Sequence, residues 1–123
     1  MHLIKSDPEL SFLVGRKVSQ LSISQFQVSL GLENSSSMDC KISTEGDWRL
    51  TDKGDNSLEE NQGSDNIRES KLPLLLNQTV ESYGIISPNV LRIEFENYGL
   101  ELFCEESPYE NFQIYFGKIV VVY

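Results

Sequence analysis

A chain of 123 residues, 39% hydrophobic and 24% charged, is long enough to bury one core and too short for several domains. Its 10 basic and 19 acidic residues leave a net charge of −9, which opposes direct binding to nucleic acid or an anionic membrane and favours either plain solubility or a basic partner. The longest apolar run, Ile119 to Tyr123, is too short for a membrane span, and the N-terminus lacks a secretory apolar stretch.

The elements read as strands. Val18 to Ser24 supplies the first. Phe26, Val28, Leu30 and Leu32 alternate with polar or small residues, the period of a strand with one buried face. After the Asn34–Ser37 turn, Met38, Cys40 and Ile42 alternate likewise, and Trp48 and Leu50 open a shorter fourth strand. Residues 52–71 are rich in Gly, Asn, Ser and Asp and read as an acidic, exposed, partly mobile linker in which Ser57 to Gln62 forms at most a helical turn. Asp7 to Leu10 is the other possible single turn.

Beyond the linker the pattern recurs. Val80 to Ile86 is a strand. Leu91, Ile93 and Phe95 face inward, then Leu100, Leu102 and Cys104 after the Asn97–Gly99 turn, then Phe112, Ile114 and Phe116. A terminal strand spans 118–123. Val18 answers Val80, Ile23 answers Ile85, Met38 answers Leu100, Cys40 answers Leu102 and Trp48 answers Phe112, at offsets of 62 to 64. The fold expected is therefore all-β: an internally duplicated antiparallel β-sandwich or half-barrel pair in a single domain, with little helix. Its repeat units are about 10–51 and 72–116, with about four strands per copy plus the terminal strand, sharing a core that neither copy closes alone. The two cysteines take core-facing but non-equivalent positions, which fits a reducing cytoplasm and implies no disulfide.

Catalytic chemistry is sparse. The single histidine, His2, sits at the N-terminus, so Ser–His or Cys–His catalysis lacks a base. No zinc spacing, phosphate loop or calcium loop is present, and Asp52 to Asn56 only echoes the last of these. Glu94, Glu96, Glu101 and Glu105 lie on neighbouring strands, where carboxylates are more often solvated than catalytic. The reading is a non-enzyme without metal or cofactor.

The charge is unevenly distributed. Residues 1–51 carry a net −1, residues 52–71 carry −3 and residues 72–123 carry −5. By alternation, Arg92, Glu94 and Glu96 face outward on one strand of the second copy, and Glu101, Phe103 and Glu105 on its neighbour. Phe103 then either packs beneath the linker or anchors a partner within an acidic patch extended by Tyr98, Glu106, Tyr109 and Glu110.

A small acidic all-β chain with this duplication, Leu-x-Gly-like starts and a Tyr109-Glu110-x-Phe112 segment resembles bacterial toxin-immunity proteins, those of contact-dependent growth inhibition systems most of all. The resemblance implies a cytoplasmic protein that binds a cognate basic toxin domain, often a nuclease, and occludes its active site. Contacts would come from Glu94, Glu96, Tyr98, Glu101, Phe103, Glu105, Glu106, Tyr109 and Glu110, in a heterodimer rather than a homo-oligomer. The alternative is a small β scaffold or ligand-binding module whose charge is incidental.

Overall fold

The computed structural model describes residues 10–24, 27–33, 40–61, 70–104, 112–117 and 119–122. The first copy forms β1 (Lys17–Ile23), β2 (Val28–Glu33), β3 (Cys40–Thr44), β4 (Trp48–Asp52) and β5 (Ser57–Asn61). The second forms β6 (Val80–Ser87), β7 (Val90–Phe95), β8 (Tyr98–Phe103), β9 (Phe112–Phe116) and β10 (Ile119–Val122). A 3-10 turn precedes each set, Ser11–Leu13 in one and Leu72–Leu75 in the other. Among the described residues no helix is long and apolar enough to cross a membrane.

The strands make two antiparallel five-stranded sheets in a sandwich-like arrangement. Sheet A runs β1-β2-β3-β9-β10, and sheet B runs β5-β4-β8-β7-β6. Each sheet thus combines the three-strand meander of one copy with the closing hairpin of the other. The alternation explains which faces meet. Val28, Leu30, Leu32, Ile42, Phe112 and Ile114 from sheet A pack with Trp48, Leu50, Leu91, Ile93, Phe95, Leu100 and Leu102 from sheet B in one buried cluster. Each fully buried side chain of this kind contributes roughly 1.5–3 kcal/mol.

The duplication is visible in the backbone. The edge strands β1 and β6 touch through an antiparallel bridge between Lys17 and Thr79. Around it the hydrogen bonds come in reciprocal pairs. The Gly15 amide donates to the Val80 carbonyl and the Asn77 amide to the Val18 carbonyl, both at 2.9 Å. The Val18 amide donates to Gln78 at 2.9 Å, and the Val80 amide donates to Arg16 at 2.8 Å. A shift of 62 residues turns each bond into its partner, so a pseudo-two-fold axis passes through the bridge. Gly15 (φ 87°) and Asn77 (φ 69°) occupy the same left-handed position, which glycine takes freely and asparagine tolerates better than most residues. Their neighbours Leu13 and Leu75 are both fully buried. Phe12 stacks on Phe116 at 4.5 Å, which ties the first 3-10 turn to the hairpin supplied by the second copy.

Two expectations need correction. Residues 52–71 are not solely a linker, because 57–61 is the strand β5, with Leu50 opposite Glu59 and Trp48 opposite Asn61. It is polar because it is an outermost strand, and polarity conceals it from a composition argument. Among the described residues each copy therefore has five strands, and β10 is the second copy's equivalent of β5. The third strands also match differently. Leu30 opposes Ile42 as Ile93 opposes Leu100, so Ile42 rather than Met38 answers Leu100, and Thr44 rather than Cys40 answers Leu102. Six residues separate β2 from β3 but only two separate β7 from β8, which shortens the offset there. Met38 itself lies outside the described residues.

Cys40 and Cys104 are free and buried. Burial raises both thiols, that of Cys104 to about 11 from the ordinary 9.0. Ionisation alone then lowers the Cys104 thiolate fraction roughly a hundredfold. A thiol titration in mildly alkaline buffer is expected to show both cysteines protected in the native protein and both reactive in urea. Fast modification of the native protein would contradict this burial.

Candidate interaction surface

The outer face of sheet B carries an ionic network that is buried at its centre, Arg92 and Glu101, and exposed at its margin. One cross-strand row runs Gly84, Arg92, Glu101, Arg49, Glu60 through all five strands. The next row runs Ser82, Glu94, Gly99, Thr51, Ser57. Arg92 lies across Gly99, where a Cβ would come within 2.1 Å of its Nη2. Its guanidinium donates to Glu101 Oε2 at 2.8 Å and to Thr51 Oγ1 at 2.9 Å, and it pairs with Asp55 at 2.9 Å and with Glu94. Arg49 holds the other oxygen of Glu101 at 3.0 Å, the Asp55 carbonyl at 2.8 Å and Glu60 at 3.6 Å. Lys53 bridges Glu81 at 2.9 Å and Glu94 at 3.5 Å.

Burial disfavours the Arg92 charge, but the Glu94 and Glu101 carboxylates outweigh it and hold its pKa above the ordinary value. Arg92 and Glu101 are only 6% and 5% exposed, so each charge depends on the other. The face is closed by the β4–β5 turn, which carries Asp55.

That turn is built on Asp52. Its carboxylate accepts the Gly54 amide at 2.8 Å, the Asn56 amide at 2.9 Å and the Asn56 side-chain amide at 3.1 Å. The resemblance to a calcium loop is thus a hairpin turn, and among the described residues no group of acidic, cysteine or histidine side chains is placed to hold a metal. The Asn56 side chain, then the backbone amides, hold the Asp52 carboxyl below its ordinary 3.8. A depressed carboxyl stabilises the fold above the unfolded value and stops doing so as pH falls through the folded one. The melting-temperature gap between wild type and Asp52→Asn is therefore expected to stay constant from neutral pH down to 3.8 and to narrow below it. A gap that widens on acidification would contradict the assignment.

The expected acidic patch is thereby reorganised. Glu101 is not outward and free. It is buried between two arginines because their long side chains cover it on the face that alternation calls exposed. Glu94 is half-buried and bound to Arg92 and Lys53. Glu96 is exposed and accepts the Thr79 amide at 2.9 Å, apart from the network. Tyr98 is half-buried against the core, and Phe103 is half-buried at the end of β8. Glu105, Glu106, Tyr109 and Glu110 lie outside the described residues. Arg49, Lys53, Thr51 and Gly99 were not anticipated. Arginines opposite glutamates on adjacent strands, with a glycine within a strand, are the signal for them.

Sheet A carries the equivalent row as Ser22, Ser29, Ser43, Gln113 and Val122. Where Arg92 meets Glu101 on one sheet, Ser29 Oγ and Ser43 Oγ share a hydrogen bond at 3.0 Å on the other. The two outer faces have diverged while the inner faces match.

A different acidic region emerges from the strand ends. The connections 45–47 and 88–89 lie at one end of the sandwich, because Thr44 pairs with both Val28 and Phe112, Leu102 with Trp48, and Val90 with Phe103. They hold Glu45 and Asp47 and no lysine or arginine, and in sequence Glu105, Glu106 and Glu110 follow Cys104, outside the described residues. Glu45 is exposed and Asp47 half-buried.

Comparison with protein-family models, with characterised proteins and with solved structures gives no match to this chain.

Proposed function

We propose that the protein is an immunity protein: a non-enzymatic, cytoplasmic inhibitor that binds a cognate basic toxin domain, a nuclease in the reading we favour, and occludes its active site. One observation carries the proposal, the acidic passage between β3 and β4, where Glu45 is exposed and Asp47 half-buried with no lysine or arginine between them, beside the glutamates that the sequence places between Cys104 and Phe112. Carboxylates free of neighbouring cations project a field that attracts a basic surface and accelerates encounter. The carboxylates of sheet B do this poorly, since Arg49, Lys53 and Arg92 already compensate them. The contact is therefore assigned to Glu45 and Asp47, and to Glu105, Glu106, Tyr109 and Glu110 as the sequence places them after Phe103, rather than to Glu94 and Glu101.

The test is binding to the toxin domain encoded beside this chain, measured by stopped flow across a salt series. The expected result is a 1:1 complex whose association slows steeply with salt, and slows at low salt when Glu105, Glu106 and Glu110 are changed together to lysine without loss of melting temperature. Association indifferent to both would leave the alternative, a scaffold module with incidental charge.

A further inference from the structure

The outer strands β5 and β10 occupy equivalent places in the duplicated fold but are guarded differently. On β5, Glu60 pairs with Arg49, and Glu59 accepts hydrogen bonds from the Ser70 hydroxyl and the Lys71 amide, which draws the returning chain to that strand. β10 reads Ile119-Val120-Val121-Val122, with no charge, proline or glycine. Among the described residues it pairs only with β9. An outermost strand presents a row of backbone N–H and C=O groups that another extended strand can satisfy, and charges or prolines are the usual guards against it.

We propose that β10 is a pairing edge and that its occupant is β10 of a second copy, antiparallel, joining two sheets A across a two-fold axis. Charge selects this occupant. Two β10 strands set no like charges opposite each other, whereas two β5 strands would bring Glu59 and Glu60 of each copy together. Tyr115 of β9, the cross-strand neighbour of Ile119, is 38% exposed beside this edge. Antiparallel self-pairing is isologous and closes after one contact, so it yields a dimer and not a fibre. The interaction is distinct from the proposed toxin contact and responds oppositely to salt. Each copy carries −9, so screening strengthens the dimer while it weakens binding to a basic partner.

Sedimentation of the intact chain tests the proposal. The expected mass rises from 14.0 kDa toward twice that value with concentration and rises further with salt. Val120→Lys and Val121→Lys are expected to hold it at the monomer mass. Hydrogen exchange needs no variant: β10 amides are expected to slow at least about tenfold between dilute and concentrated protein, with β5 amides unchanged. A mass fixed at 14.0 kDa up to about 1 mM, with β10 exchange independent of concentration, overturns the proposal. So does a dimer that protects β5 instead, or one that survives both lysine variants in folded form.

Discussion

Changing Glu101 to lysine is expected to remove about 3–5 kcal/mol of stability, enough to unfold much of a domain of this size. Glu101 takes Arg92 on one oxygen and Arg49 on the other, at 2.8 and 3.0 Å. Reversal sets three cations together around a position that is only 5% exposed. The comparison with Glu101→Gln separates charge from shape: the amide keeps the volume and part of the hydrogen bonding, so its cost is expected near 1.5–3 kcal/mol, the range for hydrogen bonds to charged groups. Urea denaturation measures both. A cost within about 0.5 kcal/mol, as for an ordinary surface position, would mean that Glu101 is the free acidic contact alternation suggests.

Gly99→Ala is the second large effect, at roughly 2–4 kcal/mol, because it evicts a buried arginine from its partners. The new methyl would lie 2.1 Å from Arg92 Nη2 and 2.8 Å from Thr51 Oγ1. A flexible arginine at a surface would swing aside, but here the guanidinium is held by Glu94, Glu101, Asp55 and Thr51 at once. The effect should therefore be strongly coupled to Arg92. In an Arg92→Ala background, most of the cost of Gly99→Ala is expected to vanish, giving a coupling of about 1–3 kcal/mol. Additive costs in the double variant would show that the glycine is required for the backbone rather than for the arginine.

These two residues mark where the sequence is legible and where it is not. Alternation identifies Leu91, Ile93, Phe95, Leu100 and Leu102 as core, and all are buried. It also assigns Arg92 and Glu101 to the outer face correctly. It fails on their exposure, because burial there comes from cross-strand pairs and an overlying turn, and those depend on register. Summed charge has the same blindness: it counts Glu94 and Glu101 as surplus when three cations stand beside them. β5 is hidden because an outermost strand with a wet face has the composition of a loop. The offset of 62 finds the reciprocal bonds at Lys17 and Thr79, yet a longer β2–β3 connection displaces the third-strand match. Repetition in sequence also leaves open which copy each hairpin joins. That depends on the three-residue passage Glu45 to Asp47 leading from one sheet to the other.

The exchange of hairpins is the central claim, since it makes one core from two copies and leaves their outer faces and outermost strands free to diverge. It is tested by breaking the backbone within residues 62–69 with an inserted protease site and asking what becomes of the halves. If β4 and β5 belong to the sheet of the second copy, and β9 and β10 to that of the first, the halves remain together as a 1:1 complex with native β-structure, part only in denaturant, and fail to fold as isolated monomers. Halves that separate in plain buffer, each keeping cooperative β-structure of its own, would contradict the account.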